Sequence, residues 1–412
     1  MDKSRQLLQE TSLERTSRGD SNFSSIERSL PHAMGAPFSM PLLDRASSWL
    51  GLHNPLAHPL DPATEEVWLL DNTAYRPVHI YPHAQQPWQA EYVVAYFKKD
   101  VGKDVSDAVA NIADKVGLGN EGEDRAQGEK TISERLQLFV ATIAPARSVN
   151  VRLPGVGTKR LGPGGRSAVS EQVITNLGEQ QDGASVSIEA IPAETTPHGH
   201  GTTHFAAPEG WMVISDIDDS IKITLTSSPI GILRSTFIST PTPIAGMPAL
   251  YTHISTLLSP TWFYLSASPY NLYPFLRPFL LAHYPPGTLI LRDASWQDLG
   301  GFLASLTQGT EAYKSARMRR LHAMLPKRKV ICVGDSTQSD PEAYGDMYRV
   351  FGAGWIRRIF IRKVVGVEGM DEGVKNQGER FERAFRGVPR EVWRVFEEPG
   401  ELYEAVEALK GT

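Results

Sequence analysis

The sequence predicts an α/β protein, with a parallel sheet flanked by helices in its second half and a β-rich unit before it. Three observations carry this. From Trp211 onward, continuous apolar runs at 212–215, 262–266, 288–291, 330–333 and 359–361 alternate with helical stretches, the signature of strands buried on both faces. From Ser148 to Ala206, short runs such as Val149-Asn150-Val151-Arg152-Leu153 alternate apolar and polar residues between glycine-rich turns, which indicates antiparallel strands in a small sandwich. The 412 residues also exceed what one ordinary core organises.

Taken in order, residues 1–62 are rich in Ser, Pro and charge with scattered apolar residues, and read as a mostly disordered leader. Phe38, Met40, Leu42, Leu43, Trp49, Leu50 and Leu52 crowd within it, a segment expected to pack on the folded body, with a bilayer-surface helix as the alternative. Residues 63–207 form the β-rich unit with helical elements. Val105, Val109, Ile112 and Val116 have helical spacing, with Asp104 as N-cap and Gly117 as stop. Residues 118–130 read as a polar loop, and Thr131 to Glu134 as a capping box before an apolar run to Ile143. Residues 208–412 form the α/β unit and end in an amphipathic stretch through Leu402, Val406 and Leu409.

A formal charge of −5 gives no global reason to expect nucleic acid. Cys332 is the only cysteine, so no intramolecular disulfide can form, and the chain fits a reducing compartment. The first residues lack a signal-type apolar run, and the greasiest region, Trp262 to Tyr284, is interrupted by prolines, Arg277 and His283. A soluble, cytoplasmic chain is expected, with contact to a membrane surface left open.

Chemistry gathers at the ends of the predicted strands. Val213-Ile214-Ser215-Asp216-Ile217-Asp218-Asp219-Ser220 places two carboxylates, two residues apart, at the carboxyl edge of a buried strand, where open α/β sheets bind ligands. Neighbouring carboxylates discourage joint ionisation, so one can attack while the other donates a proton. Phe263 to Pro269 ends a second strand at Ser266, a hydroxyl able to bond a phosphate oxygen. Val330 to Ser336 ends a third at Asp335, with Gly334 permitting close backbone approach. Carboxylates from two such strand ends suit Mg²⁺. Asp340, followed by Pro341, is equally suited to cap the next helix or to stand near a metal. Lys314 opens a basic helical stretch and can neutralise phosphate as a point charge. His198, His200 and His204 lack the partners of a zinc site, and Gly155 to Arg160 lacks P-loop spacing and reads as a hairpin.

These strand ends and the lysine, in this order, resemble the four-part signature of the haloacid dehalogenase superfamily. Asp216 to Lys222, Leu265 to Pro274, Pro326 to Lys329 and Gly334 to Tyr344 further resemble the fungal actin-patch-associated phosphatidate phosphatase family, strongly over residues 205–365 and more loosely from Trp68 to Ala206. The resemblance implies a Rossmann-like catalytic domain and Mg²⁺-dependent hydrolysis of phosphatidate to diacylglycerol and phosphate. Asp216 would be the nucleophile and Asp218 the acid/base; Asp216, the backbone carbonyl of Asp218, and Asp335 would hold Mg²⁺. Ser266 and Lys314 would grip the phosphoryl group. The chain has Ser220 where the family's motif ends in Thr; the hydroxyl is retained and counted with the phosphate-binding set. Implied partners are a phosphatidate-containing membrane surface and actin-patch proteins, although the chain shows no proline-rich tail of the kind that recruits SH3 domains. The short stretch between Ser220 and Ser266 argues for an open site, compatible with phosphatidate and with another phosphomonoester such as a phosphoinositide, soluble phosphate or phosphoprotein. A non-catalytic scaffold is the remaining alternative.

Overall fold

The computed structural model describes residues 10–20, 22–30, 57–78, 86–99, 104–119, 123–165, 168–192, 198–292, 299–367 and 369–411. The leader expectation fails for part of its length. Helices α1 (Ser12–Asp20) and α2 (Phe23–Ser29) are formed, and Phe23 and Leu30 are buried in the main core. The apolar crowd from Phe38 to Leu52 lies outside the described residues. Isolated helices this short are marginal in water, so their order comes from tertiary contacts.

The next strands build a nine-stranded sheet. They are β1 (His58–Pro59), β2 (Glu65–Leu69), β3 (Asn72–Tyr75), β4 (Gln89–Lys98), β5 (Arg147–Leu153), β6 (Gly157–Leu161), β7 (Val169–Thr175), β8 (Ser185–Ile191) and β9 (His200–Ala206). The order is β1-β5-β8-β9-β3-β4-β2, with β6 on β5 and β7 on β4. The predicted alternating runs pair antiparallel, β5 with β6 and β8 with β9, whereas β3 and β9 pair parallel. Val67, Tyr92, Val151, Ile188 and Phe205 contribute to this sheet's own core.

Between β4 and β5 the chain leaves the sheet as helices α3 (Ser106–Lys115) and α4 (Glu123–Val140). The polar loop expected at 118–130 is therefore largely helix, and Thr131 sits inside α4, where its hydroxyl donates to the Gln127 carbonyl at 3.0 Å. Gly128, inside that stretch, serves packing: a Cβ there would lie 2.6 Å from Leu118. Arg125 ties the same turn to Glu129 at 2.7 Å and to Asp114 at 3.0 Å. The pair packs against both sheets, for Trp68 and Phe97 of the β-rich sheet belong to its cluster. Ile112, Ile132, Leu136 and Phe139 share one core with Val213, Ile217 and Ile232, and the Phe139 ring lies 5.4 Å from Phe237 and 5.1 Å from Phe302.

The second half forms a six-stranded, all-parallel sheet. Its strands are β10 (Trp211–Asp216), β11 (Thr261–Pro269), β12 (Thr288–Arg292), β13 (Lys329–Asp335), β14 (Ile356–Arg362) and β15 (Trp393–Phe396), ordered β12-β11-β10-β13-β14-β15. All five predicted runs are present; β15 is additional. Helices α5 (Pro229–Phe237), α6 (Met247–Leu258), α7 (Tyr273–His283), α8 (Leu299–Thr307), α9 (Thr310–Met324) and α10 (Asp340–Phe351) join or flank these strands. Numbered within the sheet, the strands run 3-2-1-4-5-6, so the chain reverses direction of travel between β10 and β13. In open α/β sheets such a switch point is where ligands bind, at the carboxyl edge.

Buried polar ties join the two sheets. Arg328 donates to the carbonyls of Ala207 (2.7 Å) and Trp211 (2.8 Å), to Thr261 Oγ1 (2.9 Å) and to Asp182 (2.5 Å). Asp71 accepts from Arg277 Nε at 2.7 Å and from the Thr202 N–H at 2.7 Å. Among the described residues no helix is long and apolar enough to cross a membrane.

Candidate active site

Apolar strands hold the acids at the switch point. Asp216 is the last residue of β10 and Asp335 the last of β13, and the two strands pair in parallel. Lys314 comes in from the second turn of α9, with its Nζ 2.7 Å from Asp216 Oδ1 and also bonded to Asp340 Oδ1. Ser220 donates to Asp216 Oδ2 at 2.9 Å or to Asp335 Oδ2 at 3.1 Å. Asp340 begins α10, and its other oxygen accepts from the Asp335 N–H at 3.0 Å.

Asp218 occupies a separate niche. Its Oδ2 accepts from Ser266 at 2.6 Å and more loosely from Ser268 at 3.4 Å; its Oδ1 accepts from Thr224 Oγ1 at 2.8 Å. The Ser266 hydroxyl, expected to bond a phosphate oxygen, here bonds the second acid. The loop after β10 is fastened by Asp219, whose φ is 64° and whose carboxylate accepts from the N–H groups of Thr224, Leu225 and Thr226 at 2.7–2.9 Å. Lys222, also buried, donates to Thr224 Oγ1 at 2.9 Å. Thr226 and Thr337 join that loop to the one after β13 at 2.8 Å. These supporting residues were not read from the sequence. The adjacent Asp219 and the hydroxyls at 224 and 226 were the available signal, since Asx-type bonding favours turns that follow strands.

None of Asp216, Asp218, Ser220, Ser266, Lys314, Asp335 and Asp340 exposes more than 4% of its surface. Burial pushes the Asp216 carboxyl well above the usual carboxylate range; Lys314 opposes this, and Asp340, Asp335 and Asp218 add to it. Burial likewise raises Asp335, with Asp340 reinforcing it. For Lys314, burial opposes the charge but Asp216, Asp340 and Asp335 outweigh it and hold the ammonium above lysine's ordinary value. A charged lysine among three acids leaves an anionic excess, which a cation or proton relieves.

One oxygen from each of Asp216, Asp335 and Asp340 lies within 4.8 Å of the other two. An all-oxygen carboxylate set of this size fits a hard divalent ion such as Mg²⁺. Among the described residues the histidines offer no comparable cluster: His204 bonds Ser185 at 2.9 Å within the β-rich sheet.

Gly334 is needed where β13 meets α10, because a Cβ there would lie 2.6 Å from the Asp340 carboxylate. Gly334→Ala is expected to displace Asp340 from Lys314 and Asp335, costing about 1–3 kcal/mol of stability by overpacking. A thermal melt beside an activity assay checks it; unchanged values in both would remove this role.

Fold and site thus define an α/β protein with acids and a lysine gathered at the switch point of a parallel sheet. Residues 211–363 match the family described as "Phosphatidate phosphatase APP1, catalytic domain". The chain is 27% identical over 307 residues to Saccharomyces cerevisiae phosphatidate phosphatase APP1, covering 70% of this chain and 51% of that protein. It is 28% identical over 161 residues to an uncharacterised Schizosaccharomyces pombe protein, covering 38% of this chain and 26% of that one. The chain therefore spans about half the length, or less, of these relatives.

Proposed function

We propose that the chain is a Mg²⁺-dependent phosphatidate phosphatase of haloacid dehalogenase type, working at a membrane surface through an aspartyl-phosphate. In this reading the β-rich unit is a sandwich-like companion to the catalytic sheet. The observation that carries the proposal is the division of labour between two neighbouring acids. Asp216 is paired with a cation at 2.7 Å, while Asp218 is held apart by hydroxyls from Ser266 and Thr224.

Asp216 Oδ attacks phosphorus and the bond from phosphorus to the glycerol oxygen breaks. Asp218 gives its proton to that departing oxygen, leaving diacylglycerol. Asp218, now anionic, takes a proton from water as the water oxygen attacks the phosphorus, and Asp216 is restored as phosphate leaves. Lys314 neutralises charge on the transferring group, with Ser220 orienting Asp216. Asp216 and Asp335, with Asp340 beside them, would hold Mg²⁺, which when bound supplies charge neutralisation to the phosphoryl oxygens. Actin-patch proteins are a proposed set of partners by family resemblance.

The test is phosphate release from phosphatidate in detergent mixed micelles, with and without chelator, beside a soluble aryl phosphate. Mg²⁺-dependent release from phosphatidate supports the proposal. Release from the aryl phosphate alone keeps the chemistry and overturns the lipid substrate. A folded protein silent on both substrates favours a scaffold.

A further inference from the structure

The site was expected to be open because the insertion after Ser220 is short, yet its side chains are almost wholly buried. Helix α1 lies on the loops that follow Asp219 and Asp335. A cavity of about 30 Å³, space for a water or two, separates Leu13, Glu14 and Ser17 from Thr226, Thr337 and Ser339.

The attachment of α1 is polar and specific. Helix α9 starts after Gly309, which has no side chain to cap it. Glu14 supplies that cap from nearly 300 residues away. Its Oε1 accepts from the Thr310 N–H and hydroxyl, both at 2.8 Å, from Ser339 Oγ at 3.1 Å and from the Glu311 N–H at 3.2 Å. Its Oε2 accepts from the Gly309 N–H at 3.2 Å. An anion at a helix N-terminus is favoured by the unpaired N–H groups and the helix dipole. Burial works against ionised Glu14, but the bonds from Thr11, Thr310, Glu311 and Ser339 outweigh it and hold the carboxyl below its ordinary range. The helix so capped carries Lys314, and Ser339 immediately precedes Asp340.

Among the described residues the other polar tie of α1 to the α/β unit is Arg18, which donates to Thr307 of α8 and bonds Glu27 of α2 at 2.7 Å. The buried side chains of α1 are Glu14 and Arg18. By contrast α2 is seated by Phe23, and the following Leu30, in the main core. An element fixed by hydrogen bonds exchanges them for water or ligand far more readily than one fixed by apolar burial. A source of repulsion is built in as well. Glu311 beside Glu14 is pushed up to about 7 by burial and by Asp346, Glu342 and Glu14, with Arg349 opposing.

We propose that α1 is an autoinhibitory strap: Glu14 latches it onto the start of α9, it closes the catalytic site, and unlatching it admits the phosphate-bearing substrate. This rests on the phosphomonoesterase reading of that site. Glu14 touches no reacting atom.

The experiment compares wild type with Glu14→Ala, Glu14→Gln and Arg18→Ala, with Arg15→Ala, an exposed position on α1, as control. Expected results are a several-fold rise in kcat/KM on the soluble aryl phosphate for Glu14→Ala, a smaller rise for Glu14→Gln and Arg18→Ala, and none for Arg15→Ala. Amide exchange over residues 12–20 should quicken in step. A fall in activity that tracks a fall in melting temperature would show that Glu14 merely caps α9, and would overturn the strap. Should no variant and no wild type release phosphate, the phosphatase reading fails, and the strap is judged by Mn²⁺ association followed through water-proton relaxation. Faster association in Glu14→Ala upholds it; equal association, including none in either protein, overturns it.

Discussion

Asp218→Asn is expected to fold and to lose nearly all turnover of phosphatidate. The amide keeps the size of the carboxylate, and Ser266 and Thr224 can reverse their hydroxyls to meet it, so the stability change should stay within about 1.5 kcal/mol. Catalysis has no such escape. The departing glycerol oxygen is a poor leaving group without a proton, and loss of a positioned acid/base costs roughly 10²–10⁴-fold. The leaving group makes the expectation sharper. An aryl oxide with a low pKa needs little protonation, so rapid-quench kinetics of Asp218→Asn with an activated aryl phosphate should show a burst of aryl oxide and then slow release of phosphate. Asp216→Asn should show neither burst nor turnover, since the attacking oxygen is gone. A burst from Asp216→Asn, or wild-type turnover of phosphatidate by Asp218→Asn, would exchange or cancel the assigned roles.

Lys314→Met should combine the largest stability effect with a deep kinetic one. It leaves Asp216 and Asp340 buried beside Asp335 with no cation. Removing one partner of a buried ion pair typically costs about 3–5 kcal/mol, unless the acids recover part of it by taking up a proton. Chemical denaturation at several pH values would resolve this. The deficit should be greatest at neutral pH and shrink on acidification, because protons then neutralise the acids that the lysine no longer balances. Phosphate release should fall on the order of 10²–10³-fold, the effect of deleting one preorganised group that stabilises developing charge. Lys314→Arg should restore little of it, since a planar guanidinium cannot occupy the point between Asp216 and Asp340 that an ammonium fills. A variant with wild-type stability at all pH values would show that the lysine does not balance the acids.

The parts of this arrangement visible in the sequence are those where one residue type has one use. Apolar runs that stop at Asp216, Ser266 and Asp335 could only be buried strands ending at a polar edge. Lys314, in a helix otherwise readable as a solvated basic face, became meaningful beside them. What escaped notice depends on distant contacts. Strand β15 is short, carries Arg394 and is hemmed by Glu397, Glu398 and Pro399, so no run announces it. Gly128 and the charges around it suggested a loop, although the absent Cβ makes room for Leu118. Helix α1 has no apolar face to betray it, because its reason to fold lies at Thr310. The bond of Ser266 to Asp218 is set by the register of β11 on β10, which local pattern does not reveal.

The position of α3 and α4 bears on any attempt to dissect the protein. A cut near residue 207 separates the two sheets in sequence yet tears one core in half, for Ile132, Leu136 and Phe139 would leave with the first fragment while Phe237 and Phe302 stayed with the second. Each fragment would present a greasy wound to water. The chain is interlaced rather than strung in modules, so a shortened catalytic piece has to carry residues 104–140 with it, whether as an insert or supplied in trans.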